Sequence, residues 1–214
     1  MSARYTGNGK GGRPSAAEQP DEAEGLEDPD EPERKAATGR RAEIESAALG
    51  LFLDRGFAAT SVREIAGEVG VTVPTLYYHF GSKDGILAAL VEGLVNDGEE
   101  VITDLAGRSG IRLPGRALAS YYDVVTRHLD VFRLVMTDPS VRSHDIAGHR
   151  LAEQGSRFLG FLTNGSDRRR DVIRANAALG AIRRPLRLDD FDIEADRHQT
   201  LASARAALAA RSGR

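Results

Sequence analysis

From Arg40 onward the apolar positions recur with a helical period. Ile44, Ala48, Leu51 and Phe52 fall at i, i+4, i+7 and i+8, and Gly56 ends the run. Val62, Ile65, Ala66 and Val69 form the next stripe, with Thr60 or Ser61 as its cap and Gly70 as its stop. Thr72 is placed to cap a third helix, Val73 to about His79; Pro74 lies in the first turn, where a missing N–H costs nothing. Ser82 caps a fourth, longer helix carrying Ile86, Leu87, Leu90, Val91, Leu94, Val95, Val101, Ile102 and Leu105. Further helices are predicted over about 114–127, 130–137, 146–163, 168–184 and 193–211, punctuated by Pro139 and Pro185. No segment alternates as a strand does. The chain reads as all-α: a three-helix head, a connecting helix and a second helical bundle.

Residues 1–35 break this pattern. They are rich in Gly, Pro and acidic groups, and Tyr5 and Leu26 are their only sizeable apolar side chains. Such a segment buries too little surface to offset the entropy of ordering it, so a disordered acidic tail is expected. Gly7, Gly9 and Gly12 match a dinucleotide-binding spacing, but no strand precedes them and no apolar helix follows. The expected division is a tail over 1–35, a helical head over 36–85 with its motif at about 61–80, and a second helical unit over 86–214.

Charge changes meaning once it is localised. The whole chain carries a net −3, which by itself argues against a nucleic-acid partner. Residues 1–35 hold 5 basic and 9 acidic residues, while 36–214 hold 24 and 23. Arg34, Lys35, Arg40 and Arg41 cluster just before the motif, and screening over about 10 Å makes local charge the relevant quantity. The chain has no cysteine, which removes disulfides and thiolate metal sites and fits a reducing cytoplasm. No apolar run approaches the roughly 18 residues of a membrane span, and the first residues lack the apolar core of a secretory signal. The histidines are too scattered for a metal motif, and no nucleophile–base or paired-carboxylate set converges, so neither a cofactor nor an enzyme is expected.

Thr60 to Lys83 carries the functional signal. Two short helices joined by a tight turn need a small residue midway along the first and a Gly four residues later; Ala66 and Gly70 have that spacing. Ile65, Val69, Val71 and Leu76 supply apolar contacts between the pair. A helical hairpin in any α-domain shares these features. The longer string does not: Gly56-Phe57, Thr60-Ser61-Val62-Arg63-Glu64-Ile65-Ala66, Gly70-Val71, then Thr75-Leu76-Tyr77-Tyr78-His79-Phe80 and Ser82-Lys83-Asp84. Over about residues 40–90 this closely resembles the TetR family of bacterial transcription regulators.

The resemblance implies a homodimer with two DNA-binding heads and a variable C-terminal bundle that holds a small-molecule inducer. The recognition helices would enter successive major grooves of a near-palindromic operator, about 34–36 Å apart. A repressor is expected, with an activator or a ligand-independent regulator as the alternative, acting in the bacterial cytoplasm at the nucleoid. By position, Arg63 reaches a base edge or phosphate, or else is a surface Arg paired with Glu64 or Glu68. Val73, Pro74, Thr75 and Tyr77 face the groove. Ser61, Tyr78, His79 and Lys83 resemble phosphate-binding positions; Ser61 can equally be a pure N-cap, Tyr77, Tyr78 and His79 can equally be half-buried aromatics packing the head, and Leu76 and Phe80 belong to the core. Val73-Pro74 departs from the polar or Gly residues common there in the family, which shifts readout toward DNA shape.

In the second bundle Tyr121, Tyr122, His128, Phe132, Met136, Phe158 and Phe161 are candidates to line a ligand pocket, or ordinary core. The helices over about 168–211 carry many small residues. The resemblance makes them the dimer interface; the residues alone equally allow internal packing.

Overall fold

The computed structural model describes the backbone of residues 31–145, 147–188 and 190–210, and side chains over the same spans from residue 37. The tail expected over 1–35 lies outside the described residues except at its end, where it is corrected: α1 spans Glu31–Arg55, so the backbone is already helical before Arg40. Ile44, Ala48 and Phe52 form the buried face of α1, as their spacing requires.

α2 (Val62–Val69) and α3 (Val73–Phe80) follow. Gly70 between them is left-handed at φ 73°, and its turn returns the Val71 N–H to Ala66 O at 2.9 Å. A side chain would strain this conformation, which is why Gly occupies it. Ala66, Ile65 and Leu76 are buried at the crossing.

α4 (Lys83–Ala106) begins at the Ser82 cap, where Gly85 N–H donates to Ser82 Oγ at 2.9 Å. Its first turns bury Ile86 and Leu87, and its later turns bury Leu94, Val95, Ile102 and Leu105. The body continues through α5 (Leu113–Arg127), α6 (Leu129–Thr137), α7 (Pro139–Arg142), α8 (Ala147–Thr163), α9 (Arg169–Arg183), a 3-10 turn (Pro185–Arg187) and α10 (Arg197–Ala209). α7 and the 3-10 turn are too short for periodicity to reveal. α10 starts later than the apolar pattern suggests, because Asp192 turns the chain first by accepting the N–H groups of Glu194 and Ala195.

α9 and α10 pack closely on each other through Ala175, Ala178, Leu179, Ile182, Leu201 and Ala204. Among the described residues all secondary structure is helical. The buried apolar side chains form one continuous cluster from Ile44 to Ala204, and α1 of the head packs on α6 of the body. This continuity places the head in direct mechanical contact with the bundle.

Candidate nucleic-acid interface and effector cavity

Ser61 caps α2 reciprocally. Glu64 N–H donates to Ser61 Oγ (3.2 Å), while Ser61 donates both its backbone N–H (2.8 Å) and its hydroxyl (2.7 Å) to Glu64 Oε2. The Ser61 hydroxyl foremost, then its backbone N–H, hold the Glu64 carboxyl below the ordinary carboxylate range, and the nearby Arg55 adds to this. Ser61 is thus the N-cap of α2, with its hydroxyl given to the Glu64 carboxylate.

Lys83 also has internal partners. Its ammonium donates to Phe57 O at 2.8 Å and Thr60 O at 2.9 Å, and lies 4.4 Å from the centre of the Phe57 ring. Two of its three N–H groups are thus used inside the protein. Lys83 ties the α1–α2 loop to the start of α4 and keeps one N–H for a further acceptor. The same loop is closed by Thr60, whose hydroxyl donates to Gly56 O at 2.9 Å.

The rest of the interface stays open. Tyr78 is 85% exposed and Tyr77 48%, and Pro74 is also exposed. Positions 74, 77 and 78 share one helical face by their i, i+3, i+4 spacing. Arg63 on α2 is exposed and has no ion pair among the described residues, because Glu64 is taken by Ser61 and Arg55. Thr75 is half-buried, its hydroxyl 2.8 Å from that of Thr72. His79 is half-buried with its ring edge-on to Tyr78. Val73 packs against the core rather than standing clear of it. Leu76 is fully buried, and Phe80 packs beneath the Arg41 guanidinium, 4.8 Å from its ring centre.

The body holds a cavity of about 470 Å³ between α6, α7, α8 and α9, lined by Val135, Met136, Leu151, Leu159 and Leu179, with Arg142, Asn176 and Arg183 as polar lining groups. A smaller recess of about 70 Å³ shares Val135, Met136, Leu151, Gly155 and Arg183 with it and reaches Tyr121, Phe132, Gln154 and Phe158. Arg183 Nε donates to Tyr121 Oη at 2.7 Å. Burial pushes the Tyr121 hydroxyl upward in pKa, against the pull of Arg183.

Of the seven residues expected to line a pocket, Tyr121, Phe132, Met136 and Phe158 do so. Three do not. The Tyr122 hydroxyl donates to Ile193 O at 2.6 Å, tying α5 to the segment before α10. His128 Nε2 lies 2.9 Å from Asp97 Oδ2, so the ring is spent on α4, and Phe161 borders a separate groove with Ile102 and Leu113. Hydrogen bonding from His128, then from Arg127, holds the Asp97 carboxyl below its usual range.

Residues 44–90, which contain the helix-turn-helix, match the family model described as "Bacterial regulatory proteins, tetR family". The chain belongs to this family. It is similar to the transcriptional repressor KstR2 of Mycolicibacterium smegmatis, at 28% identity over three quarters of each chain (75% and 75%). It is also similar to the transcriptional activator FasR of the same organism, at 30% identity over 50% of each chain. A TetR-like regulator from Rhodococcus shares the fold at TM-score 0.60 and 22% identity, covering 80% of this chain and 97% of that one. This TetR-family chain is thus a DNA-binding transcriptional regulator.

Periodicity and spacing do not reveal three groups that organise this TetR-family structure. Asp138, Gln154 and Arg183 each act across elements distant in sequence. Asp138 carries a legible local sign, an Asp before Pro139, which marks an N-cap. Nothing local announces that its second oxygen reaches the head.

Proposed function

We propose that the chain is a transcriptional repressor that binds a near-palindromic operator as a homodimer and is released by a small-molecule effector in the body. The observation that carries the DNA contact is the pair of exposed tyrosines on α3 beside the unpaired Arg63 of α2. Arg63 suits guanine O6 and N7 or a phosphate; Tyr77, Tyr78 and His79 suit the backbone; Pro74, with Val73 beneath it, offers apolar contact to thymine methyls or sugars. Thr75 keeps acceptor capacity for a base edge. Similarity to the repressor KstR2 supports repression, and similarity to the activator FasR supports activation as the second reading. α9 and α10, which leave Ile173 58% exposed, supply the surface for a four-helix dimer contact. Such a regulator works on the nucleoid in the cytoplasm.

The test is a selection of bound DNA from a random pool, followed by gel shifts with the Arg63→Ala and Tyr78→Ala variants. Each should weaken specific binding about tenfold or more with the fold intact. Unchanged affinity in both would remove the contact assignment. A promoter–reporter assay on the selected site then separates repression from activation.

A further inference from the structure

The chemistry of the cavity restricts what can enter it. Its walls are aliphatic and aromatic side chains, and among the described lining residues there is no Asp or Glu. Two guanidinium groups line it nonetheless. Arg183, in the last turn of α9, uses only Nε, on Tyr121, and its two terminal nitrogens have no acceptor among the described residues. Arg142, at the end of α7, donates one N–H to Met136 O at 3.3 Å and has no carboxylate partner.

Other body arginines either pair with acids, as Arg127 does with Asp97 and Arg157 with Glu99, or stand exposed on the surface without one, as Arg112 and Arg205 do. What sets Arg142 and Arg183 apart is that both line one apolar cavity. A half-buried guanidinium on an apolar wall gains most from an anion that brings its own apolar body.

We propose that this cavity binds an amphipathic anion, with its apolar body against Met136, Leu151 and Leu179 and its anionic group held by Arg183 and Arg142. A carboxylate matches the fork of a guanidinium bidentately, and a phosphate ester does so equally. A cation of the same shape meets two positive charges and no negative one. The inference rests on the proposed effector role of the body, and it names the class of effector.

The Tyr121–Arg183 pair sets the inner boundary. Tyr121 is buried and stacks edge-on to Phe158 at 5.3 Å, so its hydroxyl holds Arg183 from the protein side and leaves the terminal nitrogens for the ligand. Met136 belongs to α6 and Arg142 to α7, on either side of Asp138. An anion seated between them bears directly on the corner that touches the head.

The experiment uses the full chain and four ligands of one length: decanoate, decyl phosphate, decanol and decylamine. Binding is read by calorimetry. Decanoate, decyl phosphate or both should bind about tenfold or more tighter than decanol, and decylamine should not bind. Preference for one anion over the other identifies the head group. Arg183→Gln should bring the anions down to the affinity of decanol while leaving decanol unchanged. Arg142→Gln, at an exposed position, should give part of the same loss. Equal binding of all four ligands, no binding of either anion, or anion affinity untouched in both variants would overturn the proposal. Operator gel shifts at the same ligand concentrations keep the two readings apart: binding without release of DNA removes the effector role and leaves the ligand class standing.

Discussion

The Asp138 carboxylate accepts the Phe57 backbone N–H at 2.7 Å, joining the α6–α7 corner of the body to the α1–α2 loop of the head. The other oxygen of the same carboxylate caps α7, accepting Ser140 N–H at 2.8 Å and the Ser140 hydroxyl at 2.5 Å. Phe57 is buried between Phe52, His144 and Lys83, and Lys83 grips its carbonyl from the α4 side. One residue of the head is thus held at its N–H by the body and at its C=O by the connecting helix. Phe57 is therefore a direct link by which a shift of the α6–α7 corner would be felt at the α1–α2 loop.

Replacing Asp138 tests that route. Asp138→Ala removes the cap and leaves the Phe57 N–H without an acceptor, which should cost about 1–3 kcal/mol in urea unfolding. Asp138→Asn presents one acceptor oxygen where two are needed and should fall between. If the contact transmits the effector signal, Asp138→Asn should still bind the operator but respond less to the effector, read as the shift of operator affinity with ligand. An unaltered shift would confine Asp138 to a structural role.

The same carboxylate predicts a pH dependence. Burial alone would raise the Asp138 pKa, but the hydrogen bonds from Ser140, Phe57 and Val141 outweigh it, so the net direction is downward. A carboxyl depressed in the folded state contributes stability above its unfolded pKa and loses it as pH falls through the folded one. Unfolding midpoints should therefore drop on acidification below about pH 4. The drop should be smaller in Asp138→Asn, which has no proton to gain. Parallel curves for the two proteins would contradict the assignment.

Lys83→Met should reduce stability before it reduces DNA affinity. It removes two charge-assisted hydrogen bonds to Phe57 O and Thr60 O, at a cost of about 1–3 kcal/mol. Thermal unfolding measures the loss. A phosphate clamp would instead leave the melting temperature alone and lower the salt slope of operator binding by about one unit.

Gly98 and Gln154 form a steric pair. Gln154 is buried, donates to Val95 O at 2.8 Å and reaches Glu99 at 3.2 Å, and its amide lies where a Cβ on Gly98 would stand. Gly98→Ala should push the amide out of place and cost about 1–3 kcal/mol. The cost should shrink when Gln154→Ala is added, giving a favourable coupling in a double-mutant cycle. Additive losses would show that the two positions are independent.

Much of this was legible along the chain, and for a physical reason. Helix periodicity, caps and the left-handed Gly70 depend on neighbours within about four residues, so Ser61, Thr72 and Ser82 mark three helix starts in sequence as they do in the fold. Leu76 as core and Tyr78 as an exposed group follow from the same spacing. What spacing does not show is the partner that a polar side chain finds in the fold. Ser61 and Lys83 have the right chemistry for phosphate, but each finds an internal partner first: Glu64 three residues away, and two carbonyls on the preceding loop. Tyr122 and His128 are aromatic and body-facing like Tyr121, yet their polar atoms are drawn to Ile193 O and Asp97, away from the cavity.

The sequence by itself determined the longer helices and the helix-turn-helix, because local propensity and the spacing of apolar side chains suffice for them; the family came from the resemblance of the residue string around that motif. The tertiary structure alone decided which polar groups are free. Arg63 and Tyr78 stay exposed, Arg142 and Arg183 line an apolar cavity without counter-ions among the described residues, and Asp138 is committed to Phe57. Each outcome depends on what lies within hydrogen-bonding distance once remote segments meet. For Asp138 and Phe57 that means two residues 81 positions apart, a separation over which no local pattern carries information.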